Sequence, residues 1–397
     1  MLTFQKFRGI NNISNEKKKG ETYLSAALDV DVGLDAELRR RRGMTLLKAG
    51  CYRQLWEGAS MLLGILNGCA LVRVVPDGED VTIHPAMGTA RLWCCELPDG
   101  RVIFSNGQVH GMTDGTGCSD WGVAPPDEAG SATAVAGAMP AGRYAWAITF
   151  RREADGLESQ AAVGGLVEVQ QAGGLLLTDL PQRAGHSLQV YLTTAGGEAF
   201  FHAGQAQGPA FSYLRDGQDL ARPCRTLHLS MPPVGCLHAL WGARMLVAQG
   251  RVLWASRPHG WSHFDLGRDF KQFSADITLV QPVGGGIFVG TQKELAFLAG
   301  VEFDTLVYTS LMKEPVLLGS GAAAPGRRVR RGDGAGFGRA MVCIAGGWVV
   351  AGHDDGMLEP LSEGIYRADI GAEVVAAFRT VDGVPQYEAL AYEHAAV

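Results

Sequence analysis

Two histidines four residues apart, His259 and His263, stand just before Asp265 in the stretch RVLWASRPHGWSHFDLGRDF, 251–270. That spacing ligates zinc when a helix stacks both rings on one face. Here Pro258 and Gly260 flank the first ring, and both are poor residues for a helix interior. Arg251 to Ala255 reads as a strand after a glycine turn, so the pair falls in a strand-to-loop connection, as ordinary loop side chains. A second set, His353, Asp354, Asp355 and Glu359 in GHDDGMLEP, offers paired carboxylates for hydrolysis or calcium binding. An EF-hand loop needs acidic or amide groups at alternate positions and a bidentate Glu. Neither is present, and HDDG reads as a hairpin turn, as do PDGED (76–80) and ADGLES (154–159).

The glycine-rich stretch GSGAAAPGRRVRRGDGAGFG, 319–338, invites a nucleotide-binding reading. It fails on spacing: a GxGxxG beginning at Gly332 meets Phe337, one beginning at Gly334 meets Arg339, and no GK[ST] follows. It is expected to be a long flexible loop. Its functional alternative is a basic finger of Arg327, Arg328, Arg330 and Arg331, aimed at DNA or an acidic neighbour through sequence-independent, salt-sensitive phosphate contacts. RRRR (39–42) lies in an expected strand, where at most two of the four side chains share a face, so an edge or subunit-contact strand is expected. NEKKKGE (15–21) reads as a solvated turn. There is no GxSxG nucleophile elbow. No catalytic constellation emerges, and no cofactor, metal site or enzymatic activity is expected.

The elements that carry these residues follow from composition. The chain has 397 residues, 54 of them glycine, roughly twice the usual share of about 7%. The glycines punctuate short apolar runs, as many tight turns between many short strands would. A net charge of −6 argues against a bulk nucleic-acid-binding protein. The N-terminus lacks the apolar segment of a signal peptide, and no run approaches the roughly 18 apolar residues of a membrane span. A soluble protein made in a cytoplasm, with no membrane insertion, is therefore expected. The eight cysteines include no CxxC pair and mostly sit in apolar runs, so buried free thiols are expected.

Strand, glycine turn and strand recur with a period of about 35–45 residues, which suits a four-stranded propeller blade. The period predicts an all-β chain with a β-propeller of about six blades; longer, cleanly alternating strands predict an inserted fibronectin III-like β-sandwich, and the residues ahead of the propeller are left as an N-terminal arm, extended in the family described below. The arm covers 1–36 and the first part of the propeller 37–123. APPDEAGSATAVAG (124–137) reads as a linker. The sandwich covers 138–215, with Tyr144, Trp146 and Tyr191 as core aromatics and one face of each sheet solvated. The propeller resumes over 225–397. Closing the ring removes sheet edges, and ELRRRRGMTLLKAG (37–50) is expected to pair with the C-terminal strands EVVAAFRTV and QYEALAYEH.

Three stretches together resemble the tail hub, or nozzle, proteins of short-tailed bacteriophages, also described as packaged-DNA stabilisation or tail tubular proteins. FRGINN (Phe7, Arg8, Gly9, Ile10, Asn11, Asn12) and LDVDVGLDAELRRRRGM (28–44) are similar to the family's opening arm. RVLWASRPHGWSHFDLGRDFKQF is similar to its strand-and-loop motif at Ser256, Pro258, Trp261, Phe264 and Asp265. ADITLVQPVGGGIFVGTQKELAFLAG (275–300) is similar to the segment that follows it. Trp261 and Phe264 are expected to fold the loop back over the strand end, and Asp265 to cap a turn.

The resemblance implies a virion structural protein of the tail, assembled in the host bacterial cytoplasm. It implies a homo-oligomeric ring, six copies being the expected number, attached to an adaptor or gatekeeper protein and to a tail fibre or needle. Genome DNA would pass through the lumen, retained before ejection and conducted during it, without sequence specificity. Phe7, Arg8, Gly9, Ile10 and Asn11 would form a subunit-contact arm. The alternatives are a host-surface glycan-binding propeller, a minor baseplate or tail protein of a longer-tailed phage, and a propeller hydrolase with acidic or histidine residues converging on the central channel.

Overall fold

The computed structural model describes residues 8–14, 22–33, 36–41, 43, 45–329, 338–381 and 383–392. These are almost entirely antiparallel strands and turns, and no helix among them is long and apolar enough to cross a membrane. They form two compact units. One holds residues 1–118, 234–254 and 270–397; the other holds 119–233 and 255–269.

The first unit opens with two short pairs. β1 (Gly9–Ile10) runs parallel to β2 (Tyr23–Leu24), and β3 (Val30–Val32) forms an antiparallel hairpin with β4 (Leu38–Arg40). Meander sheets follow. The first is β5 (Tyr52–Glu57), β6 (Leu62–Leu66), β7 (Ala70–Arg73) and β8 (Val81–His84). The second is β9 (Trp93–Glu96), β10 (Val102–Ser105), β11 (His110–Thr113) and β12 (Cys118–Ser119). Short apolar strands need sharp reversals between them. Between two later strands Gly346 and Gly347 both take positive φ, 59° and 85°, the two-residue turn that matches strand twist and favours glycine.

The second unit is a pair of facing sheets built from seven consecutive strands. These are β13 (Ser131–Met139), β14 (Gly142–Arg152), β15 (Ala162–Val169), β16 (Gly173–Thr178), β17 (His186–Thr193), β18 (Phe200–Ala206) and β19 (Phe211–Tyr213). The strand orders are β13-β16-β19 and β15-β14-β17-β18. Met139, Tyr144, Trp146, Ile148, Phe150, Leu175, Leu177, Leu188, Val190, Leu192 and Tyr213 fill the space between them. The Trp146 indole N–H donates to the Ala129 carbonyl at 2.8 Å, and the Tyr144 hydroxyl to that of Pro140, also at 2.8 Å, so neither polar tip is buried without a partner.

The first unit resumes with β20 (Cys236–Trp241), β21 (Arg244–Gln249) and β22 (Val252–Arg257). The front half of β22 pairs with β24 (Phe270–Gln272), while its far end pairs with β23 (Gly260–Phe264) inside the second unit. Two more four-stranded meanders follow. One is β25 (Ile277–Val283), β26 (Gly286–Thr291), β27 (Leu295–Ala299) and β28 (Val307–Met312). The other is β29 (Ala322–Pro325), β30 (Arg339–Ala345), β31 (Trp348–Gly352) and β32 (Leu358–Pro360), with one helical turn, α1 (Gly326–Val329), after β29. The last sheet is the two-stranded hairpin β33 (Val374–Val381) and β34 (Val384–Ala391). Consecutive sheets share cores. Leu63, Ile65, Leu71, Leu92, Val102 and Phe104 pack the first sheet on the second. Leu279, Phe288, Phe297, Met341, Cys343 and Val350 join the two meanders before the hairpin.

Several expectations from sequence are corrected. Residues 131–137, expected as the end of the linker, belong to strand β13: small alternating Ala, Thr and Val side chains suit an extended edge paired to β16. The second unit accordingly starts at Ser119, runs to Pro233 and takes in 255–269, beyond the expected 138–215. Tyr191 is buried, but in a separate cluster with Ala147, Ala161 and Phe200 on the opposite face of β14 and β17. That face is covered rather than solvated. Among the described residues none of 37–50 pairs with the C-terminal strands: β4 pairs with β3, where Asp31 meets Arg41 at 3.1 Å and Glu37 meets Arg39. Of the cysteines only Cys343 is buried; Cys51, Cys69 and Cys118 are exposed and the other four lie between.

Candidate functional site

The first strands of successive sheets in the first unit converge on one cavity of about 230 Å³. Gln54 and Trp56 come from β5, Trp93 from β9, His238 from β20, Thr278 and Gln281 from β25, and Val375 from β33. Gly319 reaches it just ahead of β29, and Tyr392 just after β34.

Arg91 is the central charge. Its guanidinium stacks on the Trp93 ring, 4.3 Å from the centroid, and on the Tyr392 ring, at 4.9 Å. Its Nη1 lies 3.8 Å from Glu373 Oε2. Burial lowers the Arg91 pKa and the nearby Glu373 opposes that shift, and an arginine stays cationic at neutral pH in any case. The stack requires Gly319. At φ +80° that residue sits where a Cβ would strike the Arg91 guanidinium and the Val374 carbonyl.

The same arginine therefore joins the entry to β9 with both ends of the C-terminal hairpin. Backbone bonds strengthen the joint: Val374 N–H donates to Leu318 O at 3.0 Å and Tyr392 N–H to Glu373 O at 2.9 Å. The Tyr387 hydroxyl donates to Ser320 O at 2.6 Å. His238 is fully enclosed, and burial together with neighbouring His110 pushes its pKa down to about 3, so the ring is neutral at ordinary pH. A neutral imidazole, a paired arginine, a threonine hydroxyl and amides do not compose a nucleophile, base and orienting group. Among the described residues no group of His, Cys, Asp and Glu is placed to hold a metal ion.

The residues singled out from sequence are dispersed, save that His353 Nε2 lies 3.3 Å from Glu359 Oε2. His259 sits at a hairpin turn with φ 56°, between β22 and β23. Trp261 and Phe264 belong to strand β23, not to a loop, because the turn at Pro258–His259 is tight enough for the chain to return at once. Phe264 is completely buried, edge-on to Trp121 at 6.0 Å, and its backbone pairs with Ser230. His263 Nε2 lies 2.7 Å from the Glu158 carbonyl oxygen. Asp265 Oδ1 accepts from Gly267 N–H at 3.2 Å within a turn.

His353–Gly356 is a hairpin turn between β31 and β32, with Asp354 accepting from Gly284 N–H at 2.7 Å and Asp355 from Met357 N–H at 3.0 Å. In PDGED, Asp80 is bound by Lys48 Nζ at 2.5 Å and by the Tyr52 hydroxyl at 2.6 Å. The Gly-rich stretch is not one long loop: 322–325 is strand β29, paired with β30, and 326–329 is the turn α1. Arg327 and Arg328 are exposed there, with Arg328 Nη1 3.3 Å from Gly383 O, while Arg330 and Arg331 lie outside the described residues. So do Phe7 of the arm and Arg42 of the basic run; Arg39, Arg40 and Arg41 are all exposed.

Asn11 and Asn12 of the arm are held by their own chain. Asn11 is buried and its Oδ1 accepts from Ser14 N–H at 2.9 Å. Asn12 bonds both backbone groups of Arg367, donating to its carbonyl at 2.7 Å and accepting from its N–H at 2.9 Å.

No protein-family profile matches the chain, and no curated protein matches it. Solved structures similar to it include BBS1N in complex with ARL6DN, at 10% identity over 87% of this chain and 93% of that one, TM-score 0.33. Another is the computationally designed Ika8 protein, at 9% identity over 86% and 96%, TM-score 0.27. A third is the extracellular domain of a putative one-component system from B. thetaiotaomicron, at 9% identity over 94% and 51%, TM-score 0.23. At these scores none carries an argument about this chain.

Sequence reasoning missed Arg91, Glu373, Tyr392 and His238. Each sits singly in an apolar run, and no spacing links residues that lie up to about three hundred positions apart in the chain.

Proposed function

We propose that this chain is a virion structural protein of a bacteriophage tail, like the hub or nozzle of short-tailed phages, and that it works by assembly rather than by chemistry. In this reading the meander sheets are the blades of a six-bladed β-propeller whose last blade is the β33–β34 hairpin. The seven-stranded unit is a fibronectin III-like insertion between the second and third blades. The observation that carries the proposal is this order along the chain: a two-sheet unit interrupts a run of four-stranded meanders between β12 and β20. The arm motif precedes that run, and the motif at 251–270 follows the interruption.

Several copies form a ring, six in the family pattern, seated on an adaptor or gatekeeper protein. Rigid sheet cores hold the ring, and its lumen retains the genome and then conducts it. An acidic chain, net −6, repels phosphate and lets a duplex slide. Arg327 and Arg328, exposed on α1, supply a local sequence-independent DNA contact.

Light scattering of the purified protein, alone and with the tail proteins of its own phage, tests the proposal. A ring near six copies, formed alone or on an adaptor, is the expected result. A monomer that ignores every tail protein and binds surface glycan overturns it.

A further inference from the structure

The C-terminal sheet has two strands where each meander before it has at least four, and among the described residues β34 pairs only with β33. Among the described residues its far edge is a row of backbone donors and acceptors with no partner strand, which proteins rarely leave open. One face of this hairpin is covered, with Phe378 and Tyr387 against Ala324, Val329 and Val342. On the other, the cross-strand pair Val375 and Leu390 is 45% and 68% exposed.

The β3–β4 hairpin has the complementary defect. It too is an antiparallel pair with no further partner strand among the described residues. The leucines that flank it, Leu28, Leu46 and Leu47, are 88%, 78% and 62% exposed. Neither apolar set covers the other within one chain.

We infer that the β3–β4 hairpin of one copy completes the last sheet of a neighbouring copy along the free edge of β34, with Leu28, Leu46 and Leu47 packing on Val375 and Leu390. Two strands added to two give the four of the other meanders. The connection 41–47, ahead of Lys48 with its tie to Asp80, spans up to about 23 Å when extended. A head-to-tail exchange of this kind closes into a ring when the rotation between copies closes. The inference rests on the proposed ring only in needing several copies.

The test co-expresses two versions of the full chain. One is affinity-tagged and carries photoreactive p-benzoylphenylalanine at position 390; the other is untagged and marked by Val30→Ile. After irradiation of the assembled protein, the peptides attached to position 390 are identified by mass. Exchange between copies captures the hairpin peptide in both native and Val30→Ile masses. Capture of the native mass alone means that the hairpin closes its own sheet and overturns the inference. Capture of neither, in protein that light scattering shows to be oligomeric, overturns the inference and leaves the ring standing. A monomer overturns both.

As a second variant, Leu28, Leu46 and Leu47 are replaced together by Ser; these exposed positions leave the fold intact. The concentration at which half the protein is assembled should rise at least tenfold, and an unchanged value overturns the inference.

Discussion

The guanidinium of Arg91 and the ring of Tyr392 stack at 4.9 Å across the cavity of the first unit, joining the entry of β9 to the residue that follows β34. With Trp93 on the other side and Glu373 at 3.8 Å, one side chain fastens the C-terminal hairpin to a sheet formed almost three hundred residues earlier. Pairing of residues 37–50 with the C-terminal strands was expected; in the structure a cation between two aromatic faces joins the hairpin to the second sheet.

Replacing Arg91 removes the clamp and leaves Glu373 beside a void. Arg91→Ala should lower stability by about 3 kcal/mol, the scale for breaking a part-buried ion pair. Arg91→Lys should recover only part, since an ammonium does not stack as a planar guanidinium does. Hydrogen exchange should quicken first at the amides of 374–391, before those of β5–β11. Uniform loss of protection throughout the unit would show that the arginine is no clamp.

His238 gives the fold a sensitivity to acid. Its folded pKa is pushed down to about 3 by burial and by His110. The unfolded chain takes up a proton near pH 6.5, which the folded chain refuses. This contribution to stability is therefore complete above pH 6.5 and shrinks as pH falls toward 3, by about 1.4 kcal/mol per pH unit. In His238→Gln that component of the slope should vanish. Urea midpoints measured between pH 4 and 7 for both proteins check it.

In the second unit Glu158 Oε1 accepts from the Tyr191 hydroxyl and from the Thr149 hydroxyl, both at 2.5 Å. Burial raises the Tyr191 pKa and Glu158 raises it further. Glu158→Ala leaves two hydroxyls without their acceptor and should cost about 2 kcal/mol. Tyr191→Phe in that background should restore part of it. The contact of His263 with the Glu158 backbone carbonyl should survive, visible as an unchanged His263 ring resonance.

The thiols should separate by rate. Cys51, Cys69 and Cys118 are exposed and should react with a disulfide reagent within the first minutes. Cys236 and Cys95 should lag, because burial raises their pKa to about 11 and about 12. Cys343, wholly buried, should react only on unfolding. Three fast thiols by absorbance, identified by peptide mass, is the expected count; early labelling of Cys343 would contradict the packing of β30.

What the sequence determined by itself was local. Short apolar runs separated by glycine specify strands and tight reversals, because a turn such as Gly346–Gly347 depends only on the φ angles that two neighbouring residues can adopt. The same locality made HDDG legible as a hairpin turn and the His259–Pro258 pair legible as no helix. It misled where small residues hid a strand, at 131–137, and where a turn was tighter than it looked, at 258–260. Tertiary structure decided everything that joins distant chain. It delivered 255–269 to the second unit, bound Asn12 to Arg367 across 355 positions, and set Arg91 between Trp93 and Tyr392. Those choices rest on burial and on complementary polar groups meeting in space, and no period in the sequence encodes which distant residue will arrive opposite.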